Sequence, residues 1–278
     1  MIEVRYLFGR LSVIANPDDK MSYFIKTLNS SHRIEKNRSF WGFFDVNTLT
    51  SSEGEFFSGF LVKYKKAVAE EIVDRESRSI IDIDVEFRVL AKSRFFLHFK
   101  TGMIAYHPVG NTISKEQFRE NYCELFEKAN GGLFVAAKMT SLLEQYKILE
   151  SLKSFQRIDK INFHLRPSNP TNRDEWKEVD DMLHRLDAGY YDESFISKPG
   201  STGLHNVIEE PVIKQKTHMS EDGYGETKVT GKRNGEIVTI SSEDNPISQK
   251  APNDDHESIT VLDKLIGKFR SVIERFER

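Results

Sequence analysis

The pair Asn234-Gly235, set between Glu226–Arg233 and Glu236–Ser241, constrains this chain more than any other stretch. A two-residue hairpin loop needs positive φ at its central residues, which Asn and Gly adopt at low cost, so the flanking runs must pair antiparallel. The same logic recurs upstream. Phe40–Val46 and Glu55–Tyr64 are aromatic, β-prone runs around a polar turn at Ser51–Gly54, and Arg94–Lys100 with Met103–His107 turns at Thr101-Gly102. Ser79–Leu90 alternates through Ile81, Ile83, Val85 and Phe87, and Met1–Asn16 reads as a strand broken near Gly9.

Helices are inserted among these strands. Asn16-Pro17 opens one over about 18–29, and Ser114 with Gln117 forms a capping box before a helix running to about Ala129. Leu133–Met139 reads as a short strand, and Ser141 with Glu144 predicts a cap for a second helix carrying Leu142, Tyr146, Leu149 and Leu152. Asn172 with Glu175 predicts a cap for Arg173–Ala188, stopped by Gly189. Antiparallel strands with inserted helices and no regular βαβ repeat predict an α+β fold.

Lys160–Pro170 joins two halves. Ile161, Phe163 and Leu165 share one strand face, Asn162, His164 and Arg166 share the other, and Pro167 leaves Arg166 at a strand end beside a rigid loop. The expected organisation is an aromatic-rich domain over 1–159, an α+β domain with a basic hairpin over 160–241, a flexible acidic linker over 242–257, and an amphipathic helix over 258–278. Tyr190–Ser220 lacks periodicity and reads as a long connector. The terminal helix has one apolar stripe through Leu262, Leu265, Ile266, Phe269, Val272, Ile273 and Phe276 with a basic remainder, and suits either docking on its own domain or exchange in a homodimer.

A net charge of -3 confines any nucleic-acid contact to local basic patches. The single cysteine, Cys123, excludes an intrachain disulfide framework, and its place in an apolar helix favours packing over catalysis. No apolar run approaches membrane-spanning length and the first residues lack a signal-peptide layout, so the expectation is a cytoplasmic protein without membrane insertion. The histidines show no close metal-ligand spacing, Gly131-Gly132 is a helix stop, and neither a cofactor nor a metal is implied.

The candidate nucleic-acid-binding residues are Arg166, Lys214 and Lys216 in the connector, and Lys228, Lys232 and Arg233 on the hairpin, because phosphate contacts need cations at loop tips and no fixed motif. A solvated edge whose lysines resist strand aggregation explains the hairpin cations equally simply. Tyr224, between Gly223 and Gly225, is a candidate base-stacking residue, although the glycines also serve to shape the turn. Glu226-Thr227-Lys228 resembles the carboxylate and lysine pair of metal-dependent nucleases, with Asp82 or Asp84 as a distant second carboxylate. A solvated strand face accounts for those aspartates more simply.

Phe95–Tyr106, Ile161–Pro170, the Asp222–Ser241 turn and hairpin, and the basic C-terminal helix together resemble the RexA-like phage exclusion proteins and related bacterial antiphage defence proteins. The resemblance implies a DNA-binding, dimeric sensor in phage defence or exclusion, acting with a partner protein, and the leading expectation is a non-enzymatic DNA-binding component of such a system. The resemblance supplies no catalytic residues. A metal-dependent nuclease and a protein-interaction subunit stand as the alternatives.

Overall fold

The computed structural model describes residues 2–15, 20–66, 70–74, 78–83, 86–132, 135–168, 173–253 and 257–276. Asn16-Pro17, Asp84, Val85, Leu133, Asn169-Pro170, Asn172 and Arg278, singled out above, lie outside the described residues.

The fold is α+β, as the antiparallel turn signals require. In chain order the elements are β1 (Glu3–Ala15), α1 (Lys20–Leu28), β2 (Ile34–Lys36), β3 (Ser39–Ser51), β4 (Gly54–Lys66), β5 (Glu70–Asp74), β6 (Ser79–Ile83), β7 (Phe87–His98), β8 (Met103–Tyr106), α2 (Lys115–Ala129) and β9 (Val135–Ser141). There follow α3 (Lys147–Leu152), β10 (Arg157–Leu165), a 3-10 turn (Asp174–Trp176), α4 (Lys177–Arg185), β11 (Tyr191–Ile196), α5 (Pro211–Glu221), β12 (Gly225–Arg233), β13 (Glu236–Ser241), β14 (Ser248–Pro252) and α6 (Ser258–Ile273).

The first sheet runs β14-β1-β8-β7-β4-β3-β2, with β9 also on β1; the second runs β11-β10-β12-β13; β5 and β6 pair with each other. β1 is unbroken at Gly9. A Cβ there would meet the Thr140 carbonyl oxygen at 2.7 Å, so the glycine admits β9 alongside and does not end the strand. One face of the first sheet packs on α1 and α2 through Leu11, Trp41, Leu61, Phe95, Phe118 and Phe126. The Ser114 capping box forms as read, each group bonding across 3.2 Å.

α6 covers part of the opposite face. Its Val261, Leu262, Leu265, Phe269 and Val272 are buried with Tyr6, Phe8, Phe56 and Phe96. Each such large side chain stabilises the fold by roughly 1.5–3 kcal/mol. The apolar stripe thus docks on its own chain, the first of the two placements that the sequence left open. The presumed linker ahead of it holds β14, which pairs with β1 from Glu3↔Pro252 to Leu7↔Ser248. Polar composition concealed this strand because its main-chain pairing with β1 leaves no side-chain pattern, and only Ala251 and Pro252 at its end are buried.

The second half departs from its reading at two further places. Ser141 ends β9 and bonds Glu243, while the start of α3 is capped by the buried Glu221, which accepts from Tyr146 N at 3.0 Å and Ile148 N at 2.7 Å. A cap reaching across 73 residues leaves no local signature. Within the supposed connector stand β11 and α5.

Candidate nucleic-acid interface on the second sheet

β10 lies between β11 and β12, and one face of this sheet buries Ile161, Phe163, Leu165 and Val229 with residues of α3, α4 and α5. Alternation sends the intervening side chains to the opposite face, where cross-strand register arranges them in rows. Asp192, His164 and Glu226 make one row; Ser194, Asn162, Lys228 and Ser241 the next; the exposed Ile196 with Lys160, Thr230 and Thr239 the third. Beyond these, Lys232 faces Ile237, which is 74% exposed.

Each row is internally bonded. His164 Nδ1 pairs with Asp192, and the His164 ring stacks on Tyr190 at 5.9 Å. Ser194 Oγ donates to Asn162 at 2.7 Å, and the Thr230 and Thr239 hydroxyls are 2.9 Å apart. Burial alone would raise the Glu226 carboxyl, but hydrogen bonds from Ser241 and Lys228, at 2.7 and 3.0 Å, hold it below the usual carboxylate range.

Two hollows open onto this face. A shallow one of about 380 Å³ is lined by Asn162, His164, Asp192, Ser194, Glu226 and Lys228. A groove of about 770 Å³ continues from His164 and Glu226 toward α2 and β9. Its wall carries Glu116, Glu120, Glu124, Glu127, Glu226 and Glu243 against Lys36, Arg119 and Lys138, two of these cations being bound to Glu124 and Glu243. Carboxylates outnumber cations on that wall, so the groove carries a negative potential.

The expected binding set is therefore divided. Lys228, Lys232 and Arg233 are exposed on β12. Arg166 stands just beyond β10, at the Gly225 end, whereas Arg233 is at the hairpin tip beside the Arg157↔Lys232 pair. At about 3.3 Å per residue this separates them by roughly 25 Å, so they form no common patch. The Arg166 guanidinium is half-buried, and burial lowers its pKa from the ordinary arginine value. Its Nε has no hydrogen-bond partner among the described residues.

Lys214 and Lys216 belong to α5, not to a connector. Lys216 is buried on the helix-covered side, paired with Glu193 and donating to Tyr191 Oη at 3.2 Å, so it cannot reach a phosphate. Tyr224 is fully buried. Arg10 Nη1 donates to its hydroxyl at 2.8 Å and the Arg10 guanidinium lies 4.5 Å from its ring centre, which removes it from any stacking role. The neighbouring glycines do shape the turn: Gly223 has φ +82°, and at Gly225, φ +149°, a Cβ would fall 2.3 Å from the His164 carbonyl oxygen.

Asp222, just before them, is buried. Its carboxylate accepts from Arg173 Nη1 at 3.0 Å, Trp176 Nε1 at 2.9 Å and Arg275 Nη1 at 3.3 Å, and its carbonyl accepts from Arg10 Nε at 2.7 Å. This cluster ties β1, the 3-10 turn and the end of α6 to the start of β12.

Glu226 and Lys228 are adjacent, as the nuclease reading asks, but the nearest aligned carboxylate is Asp192, across His164. Asp82 stands on β6 in the separate two-stranded sheet. Among the described residues no group of three or more His, Cys, Asp or Glu side chains is placed to hold a metal ion. Burial pushes the Cys123 thiol up to about 12, in keeping with a packed and unreactive side chain.

Sequence reading missed Lys160, Ser194 and Thr239 as partners of Lys228. The signal was present in Tyr191–Ile196, whose alternation of Tyr191, Glu193 and Phe195 with Asp192, Ser194 and Ile196 marks a half-buried strand.

An α+β protein with two large antiparallel sheets, the second bearing an exposed lysine-carrying face, is the class these features define. Residues 5–270 match the family described as Domain of unknown function (DUF4747), and the chain belongs to it. No curated protein matches the chain. Among the described residues no helix is long and apolar enough to cross a membrane.

Proposed function

We propose that this chain binds nucleic acid, DNA foremost, across the exposed face of the second sheet, as a cytoplasmic, non-enzymatic component of antiphage defence. The observation carrying the binding reading is the register that sets Lys160, Lys228 and Lys232 beside Asn162, Ser194, Thr230 and Thr239. Lysines hold phosphates while amides and hydroxyls accept the sugar and base edges. Arg233 extends the cationic end. The defence setting, with a partner protein, is supported by the resemblance of Phe95–Tyr106, Ile161–Pro170 and Asp222–Ser241 to RexA-like proteins.

The test is titration of labelled single-stranded and duplex DNA at several salt concentrations. Three phosphate contacts predict log K falling with log salt at a slope of about -2 to -3. Lys160→Ala, Lys228→Ala and Lys232→Ala combined should abolish binding at moderate salt, whereas the same change at the exposed Lys26, Lys100 and Lys264 should leave it intact. Absence of DNA binding at low salt overturns the reading.

A further inference from the structure

The edges of the two large sheets are not equally protected. β2 is three residues long, β14 ends at Pro252, β9 lies along α2 and carries Lys138, and β11 places Asp192 beside Glu193. Short strands, prolines and charges are the usual means of blocking edge-to-edge pairing. β13 uses none of them over Ile237–Ile240, a run of four β-branched residues without charge, proline or bulge.

Its hydrogen-bonding direction follows from the register. The two-residue turn makes Arg233↔Glu236 a bonded pair, and Gly231↔Val238 and Val229↔Ile240 then bond inward to β12. The Ser242 N to Thr227 O bond of 2.9 Å continues that alternation, and the Lys232 carbonyl correspondingly turns away from β13 to accept from Gln156 N at 2.8 Å. The N–H and C=O groups of Ile237 and Thr239 must therefore point outward from the sheet. The next outward group, Ser241 N, is already bonded to Asp244 Oδ2 at 2.8 Å. Ile237 and Thr239 are both exposed.

We infer that β13 pairs with β13 of a second copy of this chain, antiparallel about a twofold axis at Val238. That register alone sets Ile237 opposite the partner's Thr239 on both sides of the axis. Four main-chain hydrogen bonds form, all from the outward groups. No like charges meet, because Glu236 falls opposite the partner's uncharged Ile240, and Ile237 packs across the seam. The self-complementarity of so short a run is what favours a second copy over an unrelated strand. The two four-stranded sheets become one of eight strands whose lysine-bearing faces are continuous. The inference does not depend on the nucleic-acid reading.

The experiment uses the full chain in light scattering and sedimentation across a concentration series. A dimer is expected. Thr239→Pro, which removes an outward donor without touching the ladder to β12, should give monomer with an unchanged circular dichroism spectrum, and Ile237→Lys should do the same. Val238→Cys should form a disulfide-linked dimer under mild oxidation, since Val238 meets its own copy as a non-bonded pair, whereas Thr230→Cys should not. A monomeric native chain at every concentration overturns the inference. So does a dimer that survives both edge variants, or one in which Val238→Cys fails to cross-link.

Discussion

Replacing Asp222 with alanine tests whether the two sheets are held by the buried charge cluster between them. The carboxylate is 1% exposed and receives Arg173, Trp176 and Arg275, whose side chains have almost no access to water. Removing one partner of a buried ion pair costs about 3–5 kcal/mol, because the remaining charge keeps its desolvation penalty and loses its compensation. Two features set the value at the low end. Arg173 keeps Glu175, and Arg275 keeps Glu144 at 3.7 Å and the Leu143 carbonyl at 2.8 Å. The expected loss is then about 3 kcal/mol, which in chains of 150–250 residues lowers the melting temperature by about 2–4 °C per kcal/mol, or roughly 6–12 °C in total. Thermal and urea unfolding followed by circular dichroism measure it. Asp222→Asn, which keeps one acceptor for Trp176 Nε1, should fall between native and alanine. The double variant Asp222→Ala with Arg173→Ala should lose less than the sum of the single changes, because the cluster acts as a unit. A fall of under about 2 °C for Asp222→Ala, or additive single effects, would show that apolar packing alone joins the sheets.

Two other perturbations bear on separate parts of the molecule. Burial lowers the pKa of His98, whose ring nitrogens bond Thr101 Oγ1 at 2.7 Å and the Glu53 carbonyl at 2.9 Å. The unfolded chain therefore takes up this proton first, so the His98 contribution is complete above about pH 6.5 and is lost as pH falls from there toward the folded pKa, by at most ~1.4 kcal/mol per unit. Denaturant unfolding between about pH 7 and pH 5 should show the slope, and His98→Gln should reduce it to the part supplied by His107, whose pKa burial lowers as well. Glu53 and Glu226, whose pKa values are depressed, lose their contributions only below about pH 4.5 and leave that window clear. Gly225→Ala forces a Cβ against the His164 carbonyl oxygen at a backbone angle that side chains rarely adopt, and should give protein that is insoluble or unfolded at ordinary temperature. Normal expression and melting of that variant would refute the close approach of β12 to β10.

Local chemistry made the hairpins and the α2 cap readable, since Asn234-Gly235, Thr101-Gly102 and the Ser114 to Gln117 box each carry their geometry within four residues. Elements defined by distant partners were not readable. β14 is polar and owes its place to β1, the start of α3 is bonded by Glu221 from α5, and β11 hid inside a stretch with Pro199-Gly200 and Gly203 just beyond it. The site suffered for the same reason. Charge was visible, but whether a lysine faces solvent depended on helices whose positions no local pattern supplies. Lys228 and Lys216 look alike in sequence and each pairs with a glutamate, yet one lies on an open strand face and the other on the buried side of α5.

The pairing of β1 with β14 has a consequence for synthesis. β1 begins at Glu3 and must wait for Ser248–Pro252, and the Phe8, Phe56 and Phe96 surface waits longer still for Phe269. At roughly 5–20 residues per second, the intervening 240 or so residues take about 12–50 s to emerge. For that interval the nascent chain carries an unpaired strand edge and an uncovered aromatic face together, which is the condition that recruits chaperones and that a stalled ribosome would prolong.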